Sequence, residues 1–184
     1  MGADDRHGRG GQAPRRRDLA GPRPVTLAVV PLALADPAHA AAFIDLLDHY
    51  ARDPMGGGDG LGAEARAHLV DRLQAVPGFH GALACDGGEA LGLINCFLGF
   101  STFAARPLLN VHDLVVRADR RGRGIGQALL AWAETRAREL GCCKLTLEVL
   151  ANNARALAAY RRAGYAPYVL DPAAGQALLL QKVF

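Results

Sequence analysis

The sequence predicts a mixed α/β fold with a single core. Three observations carry this prediction. Segments of strand character and segments of helical spacing alternate in the order β-α-α-β-β-β-α-β-α-β-β. Asp86-Gly87-Gly88 supplies hairpin chemistry between two of the strands. The apolar run Leu114-Val115-Val116 passes directly into a glycine-rich helix start.

The elements follow in order. Val25 to Val30 is β-branched and apolar, the first strand. Asp36-Pro37 opens a helix through Tyr50, with Pro at the first helical position and Phe43, Leu46, Leu47 and Tyr50 at helical spacing. Pro54 and Gly56, Gly57 and Gly58 make the next stretch a loop. Ala63 to Ala75 reads as a second helix, with Leu69, Leu73 and Val76 inward. Phe79 to Cys85 and Glu89 to Phe100 read as antiparallel strands, Ser101 to Pro107 as a turn, and Leu108 to Val116 as a central strand. A helix continues from Gln127 to Leu140 and is capped by Gly141. Lys144 to Leu150 is a strand. Asn152 or Asn153 caps a last helix ending near Ala163-Gly164. Tyr165 to Leu170 and Ala177 to Val183 are expected to finish the sheet.

Composition bounds the function. Hydrophobic residues make up 51% and charged residues 21% of 184, a balance suited to one globular domain at residues 25–184. Residues 1–24 are rich in Gly, Arg and Pro and are expected to be a disordered basic tail. They hold six Arg and three Asp, which leaves 15 basic and 15 acidic residues in the domain. The net charge of +3 therefore belongs to the tail, and no nucleic-acid partner is expected. No apolar run is long enough to span a bilayer, and the arginine-rich start lacks the apolar stretch of an export signal, so no membrane partner is expected either. Cys85, Cys96, Cys142 and Cys143 lack paired spacing, so reduced thiols in the cytoplasm and no metal site are expected.

The chemistry-bearing stretch is Arg120 to Gly126. A helix N-terminus offers unpaired N–H groups and the positive end of its dipole. Glycines let that backbone approach an anion closely. Arg120, Arg121 and Arg123 add charge, so the turn reads as a pyrophosphate cradle. It lacks the Lys-Ser or Lys-Thr of a nucleotide-binding P-loop. Gly122-Arg123-Gly124-Ile125-Gly126 also has the wrong final spacing for a dinucleotide fingerprint.

From about Leu109 to Tyr168 the chain resembles the GNAT superfamily of N-acetyltransferases. The family's phosphate motif, Gln/Arg-x-x-Gly-x-Gly/Ala, is matched by Arg121-Gly122-Arg123-Gly124-Ile125-Gly126. Glu148-Val149, Asn153-Ala154-Arg155-Ala156-Leu157-Ala158-Ala159-Tyr160 and Gly164-Tyr165 match the strand and helix that follow it. Ala159 departs from the Leu that usually precedes the Tyr.

The resemblance implies a mostly antiparallel sheet flanked by helices, with a splayed parallel strand pair that binds acetyl-CoA. Backbone groups of Leu114, Val115 and Val116 would pair with the pantetheine arm. N–H groups from Arg121, Gly122, Arg123, Gly124, Ile125, Gly126 and Gln127 would hold the pyrophosphate, and Asn153 would bond the pantetheine. Tyr160 would protonate the leaving thiolate, and a strand N–H of Val115 or Val116 would stabilise the oxyanion. The expected activity is acetyl transfer to a primary amine, of a small molecule first, with a protein or peptide acceptor or a non-catalytic CoA-binding module as alternatives.

His112 and Asp113 are the candidate bases. Strand alternation predicts that their side chains leave on opposite faces, so that one at most enters the acceptor cleft. His112 has the better-placed ordinary pKa, ~6.5. Phe97, Phe100, Ser101, Thr102 and Phe103 form an aromatic stretch expected beside the acceptor, with the Gly56–Gly58 loop as its cover. The apolar Ala177-Leu178-Leu179-Leu180 suggests a homodimer contact or a buried strand.

Overall fold

The structure is a computed structural model, and it describes residues 26–169, 171, 173, 175 and 177–183. The basic tail at 1–24, Val25 and Leu170 lie outside the described residues.

Five strands form one sheet in the order β1-β2-β3-β4-β5. They are β1 (Leu27–Pro31), β2 (Phe79–Asp86), β3 (Glu89–Ser101), β4 (Arg106–Val116) and β5 (Leu145–Leu147). The first four are antiparallel, and β4 with β5 is the parallel pair. Helices α1 (Pro37–Ala51) and α2 (Ala63–Gln74) cover one face. Helices α3 (Ile125–Glu139) and α4 (Ala154–Arg162) pack on the other.

Local chemistry explains the boundaries. Asp36 caps α1 by accepting from the N–H of Ala38 at 2.8 Å and of His39 at 3.3 Å, and Pro37 takes the position that needs no donor. These bonds, the Ala38 N–H first, hold the Asp36 carboxyl below the ordinary carboxylate range. Gly141 leaves α3 in the left-handed region at φ 68°. On α2, Leu73 is buried as expected, but Val76 lies past the helix end and is exposed.

Two layers of core result. Ala82, Ile94, Leu109, Val111, Ile125, Leu129 and Leu130 fill the α3 side. Phe43, Leu46, Leu73, Leu83, Leu93 and Val115 fill the α1 side. α3 lies close on the sheet because β3 carries Gly92 there. A Cβ at Gly92 would come within 2.8 Å of the Val115 carbonyl oxygen and 3.1 Å of side-chain atoms of Ile125 and Leu129.

A bulge divides β4. Asn95 pairs with Asp113 but Cys96 pairs with Val111, so His112 is an extra residue. Before it, Leu109 and Val111 pack on the α3 side; after it, Leu114 and Val116 do. Val115 packs on the α1 side. The alternation of the strand is shifted by one residue.

The final segment departs from expectation. Tyr165 packs against the α3-side core, but the described residues among 166–169 and 177–183 form no strand. Tyr168 and Val169 are exposed, and Leu178, Leu179 and Leu180 are 80%, 80% and 84% exposed. Pro167 has no N–H to give a sheet, and the run at 177–183 lacks the alternation that would give it a buried face. β5 is also shorter than the expected Lys144–Leu150. Phe100 and Phe103 sit exposed at the far end of the β3–β4 hairpin, away from the interior.

Candidate active site

β4 runs on to Val116, while β5 ends at Leu147 opposite Val111. The parallel pair therefore separates, and a cavity of about 480 Å³ opens beside the free part of β4. Its lining comes from four places: β4, the Arg121–Gln127 turn, α4, and the end of α1 with its loop.

The bulge decides which backbone groups face this cavity. The Arg117 N–H donates to the Leu91 carbonyl on β3 at 3.0 Å. Hydrogen-bonded pairs alternate along an antiparallel ladder, so Val115 also bonds toward β3, and Leu114 and Val116 point the other way. Val115 was expected to offer its backbone to the pantetheine and its N–H to the oxyanion. It lines the cavity, but its N–H and C=O are turned to Leu93. The groups open to the cleft belong to Leu114 and Val116.

The anion cradle is formed by geometry rather than by side chains. Gly122 and Gly124 adopt φ 78° and 82°, a region costly for any residue with a Cβ. α3 starts at Ile125 with no side chain capping it, so the first N–H groups of the helix are unpaired. A Cβ built at Gly122 or Gly124 would meet nothing within 4 Å, so the space over the turn is open. This fits a pyrophosphate held by Gly122, Arg123, Gly124, Ile125, Gly126 and Gln127 through their backbone.

The arginines divide their work. Arg120 contacts Glu89 and Asp119, and Arg117 bonds both of the same carboxylates. The pair thus braces the strand end. Arg121 donates from Nε to the Val116 carbonyl at 3.1 Å and from its terminal nitrogen to Asp53 at 2.8 Å. It bridges the cradle to the α1–α2 loop. Arg123, and on α4 Arg155 and Arg162, have no ion pair among the described residues. Arg155, Ala159 and Arg162 line the cavity from one face of α4. That spacing was visible in the sequence as i, i+4, i+7 but was not singled out.

α4 also carries Asn153 and Tyr160. The Asn153 side-chain oxygen caps α4 by accepting from the Ala156 N–H at 3.1 Å, which leaves its amide N–H₂ for a ligand. Gln127 secures α4 to α3 by donating to the Ala159 carbonyl at 2.9 Å. Tyr160 packs on Tyr165 with ring centroids 5.9 Å apart. Its hydroxyl pKa is pushed up by burial first, then by Tyr50 and Asp113. Tyr50 is raised in the same way by burial and by the Asp113 and Asp53 charges. Tyr50, Asp53, Asp113 and Tyr160 therefore share one electrostatic neighbourhood.

His112 and Asp113 do not leave on opposite faces. His112 lies edge-on to Phe97, with ring centroids 5.4 Å apart, and Phe97 packs on the α1 side. Asp113 accepts from the Asn95 amide at 3.0 Å, and Asn95 stands between Leu93 and Phe97 on that same side. The bulge explains this, because both residues oppose Asn95. Nothing local in the strand sequence singles out Asn95. It is 3% exposed, and its side-chain oxygen has no partner among the described residues. An unsatisfied buried acceptor of this kind costs about 1–3 kcal/mol.

The model of the Acetyltransferase (GNAT) family matches residues 43–165. The aminoalkylphosphonate N-acetyltransferase of Salmonella typhimurium is 36% identical over 99 residues, 54% of this chain and 61% of that protein. The streptothricin acetyltransferase of Streptomyces lavendulae is 43% identical over 77 residues, 42% of this chain and 41% of that protein. The chain thus spans less than two thirds of the length of either relative. The crystal structure of a probable acetyltransferase superposes with a TM-score of 0.71 at 19% identity, covering 85% of this chain and 99% of that one, and so shares the fold.

The α1–α2 loop is held partly by charge. The Asp53 carboxyl is kept below the ordinary carboxylate range by the Met55 N–H first and by Arg121 second. A depressed folded-state value contributes stability above the unfolded value of ~3.9 that is lost as pH falls through the lower folded one. Hydrogen exchange at 53–60 should therefore stay slow at about pH 5 and accelerate below about pH 4. In Asp53→Ala the loop should exchange fast at both values. Equal protection of wild type and variant at about pH 6 would show that the ion pair does not hold the loop.

Proposed function

The chain belongs to the acetyltransferase (GNAT) family, and on that footing we propose that it transfers an acetyl group from acetyl-CoA to the primary amine of a small molecule. The carrying observation is the open cradle at Gly122–Gln127 continuous with the cleft-facing backbone of Leu114 and Val116. The first half suits a pyrophosphate and the second an extended amide-bearing arm, which adds to a strand edge as a further strand does. The names of the two relatives support a small-molecule acceptor.

Acetyl-CoA supplies the activated thioester, and the chain supplies the rest. The N–H groups of the cradle and Arg123 bind the phosphates. The Asn153 amide and the Val116 carbonyl orient the arm, the latter once Arg121 yields it. The N–H of Leu114 or Val116 faces the developing oxyanion. Tyr160 keeps its proton across the working pH range because its pKa is raised, so it can hydrogen-bond the sulfur and protonate it as it leaves. His112 and Asp113, adjacent at the bulge, take the amine's proton.

Acetyl-CoA with a panel of amines should release free thiol, and acetyl-CoA should raise Tm. Neither effect with any amine would end this reading. Tyr160→Phe should lower kcat by about 10²-fold with little change in acetyl-CoA affinity, the scale of a lost general acid. If His112 is the base, His112→Ala should lower kcat by about 10²-fold with acetyl-CoA affinity unchanged. An unchanged kcat assigns the proton to another group. The four cysteines are free thiols, which supports a reducing, cytoplasmic setting. The exposed apolar run Leu178, Leu179 and Leu180 supports a homodimer. Light scattering should then give twice the chain mass, reduced to one in Leu179→Glu; a monomeric wild type removes the dimer.

A further inference from the structure

We propose that Asn95 is a positioning residue for acyl transfer, holding the Asp113 carboxylate at the β4 bulge so that it receives the acceptor's ammonium. The inference rests on the N-acetyltransferase reading above and adds the element that orients its acceptor end.

Among the described residues Asn95 makes one side-chain hydrogen bond, from Nδ2 to Asp113 Oδ2 at 3.0 Å. Its amide cannot be turned over, because the oxygen would then face a carboxylate. Its own oxygen is buried and unpartnered among the described residues. A residue retained only to fill the sheet would be apolar here, like its neighbours Leu93, Ile94 and Cys96 on the same strand. The one thing the amide does is fix a carboxylate directly across the ladder.

That carboxylate sits where it matters. The bulge moves Asp113 from the α3 side to the α1 side, the side that carries Tyr50 and the loop. Its charge reaches Tyr50, Tyr160 and Cys96. It also stands next to Leu114, the first residue whose backbone opens to the cleft. Asp113 itself is not among the residues that line the cleft, so it acts from the cleft's edge, one residue before Leu114.

The protons balance. The acceptor ammonium gives one proton to the Asp113 carboxylate. The freed lone pair forms the C–N bond, and the C–S bond breaks with its electron pair on sulfur. The sulfur takes the Tyr160 hydroxyl proton. The second nitrogen proton returns to the Tyr160 oxygen, and Asp113 releases its proton to solvent. The sum is an amide, a thiol and one proton.

The test compares Asn95→Ala, Asp113→Asn and the exchanged pair Asn95→Asp/Asp113→Asn. The exchange keeps one amide–carboxylate bond across the ladder but moves the carboxylate from β4 to β3. Acetyl-CoA affinity by calorimetry, Tm and kcat with the best amine of the panel are read for each. Asn95→Ala should lose at least 10-fold in kcat with acetyl-CoA affinity within 2-fold of wild type. The exchanged pair should recover Tm but keep the low kcat. Wild-type kcat in Asn95→Ala, or recovery of kcat along with Tm in the exchanged pair, overturns the proposal. Absence of thiol release by wild type itself would instead fail the N-acetyltransferase reading.

Discussion

A single surplus residue in β4 governs this site. His112 has no cross-strand partner, and Asn95 and Cys96 on β3 pair with residues on either side of it. The consequence is a change of parity. Without the bulge, Leu114 and Val116 would turn their backbone to β3 and Val115 would face the cleft. Asp113 would point to α3, away from α1 and its loop. The bulge leaves the first half of β4 to complete the sheet with β5 and gives the second half to a ligand. An extended arm needs an unpaired strand edge, and the end of β5 at Leu147 provides it.

The two sides of the sheet then have different tasks. The α3 side carries the groups we assign to the donor: α3 with its open first turn, and α4 with Asn153 and Tyr160. The α1 side carries Tyr50, Asp53, Asn95 and Asp113. Each side is anchored in its own hydrophobic core, and hydrogen bonds such as Asn95 to Asp113 then orient the polar groups. Arg121 is a direct polar tie between them, from the cradle to Asp53, beside the Ala118 N–H that donates to His49 on α1. A half-exposed pair of this kind contributes only about 0–1 kcal/mol. Its value is therefore in coupling rather than in stability. The same guanidinium also occupies the Val116 carbonyl, a group that an incoming arm would use.

Most of the architecture is legible in the residues, because it follows from local rules. The cap at Asp36-Pro37, the hairpin at Asp86-Gly87-Gly88 and the glycine run at Gly122–Gly126 each state a backbone geometry. The bulge is not legible in this way. Leu-Asn-Val-His-Asp-Leu-Val breaks its alternation at His112-Asp113, where two polar residues stand together, but that break does not say which residue is surplus; the register against β3 does. The assignment of Val115 and the opposite faces expected for His112 and Asp113 failed for that one reason. The Asn95–Asp113 pair was hidden likewise, since nothing local relates residues 18 apart. The C-terminal strands failed differently: an apolar run states that a segment can be buried, not what buries it.

The α1–α2 loop closes on itself at its base. Asp48 accepts from the Leu61 N–H at 2.9 Å and from Arg52 at 2.8 Å, and it pairs with Arg66, which together hold its carboxyl far below the usual range. The chain leaves the body and returns to it at one point, so its middle is an Ω-shaped excursion with its own fastening. Lengthening such an excursion adds little closure entropy, about 0.6 kcal/mol per doubling. Around Gly58, where a Cβ would meet nothing within 4 Å, the chain can therefore gain residues, while Gly56 stays fixed because a Cβ there would lie 2.0 Å from the Tyr50 carbonyl oxygen. The length of this excursion is thus a freer variable than the glycine turn at Gly122–Gly126, whose backbone geometry is fixed.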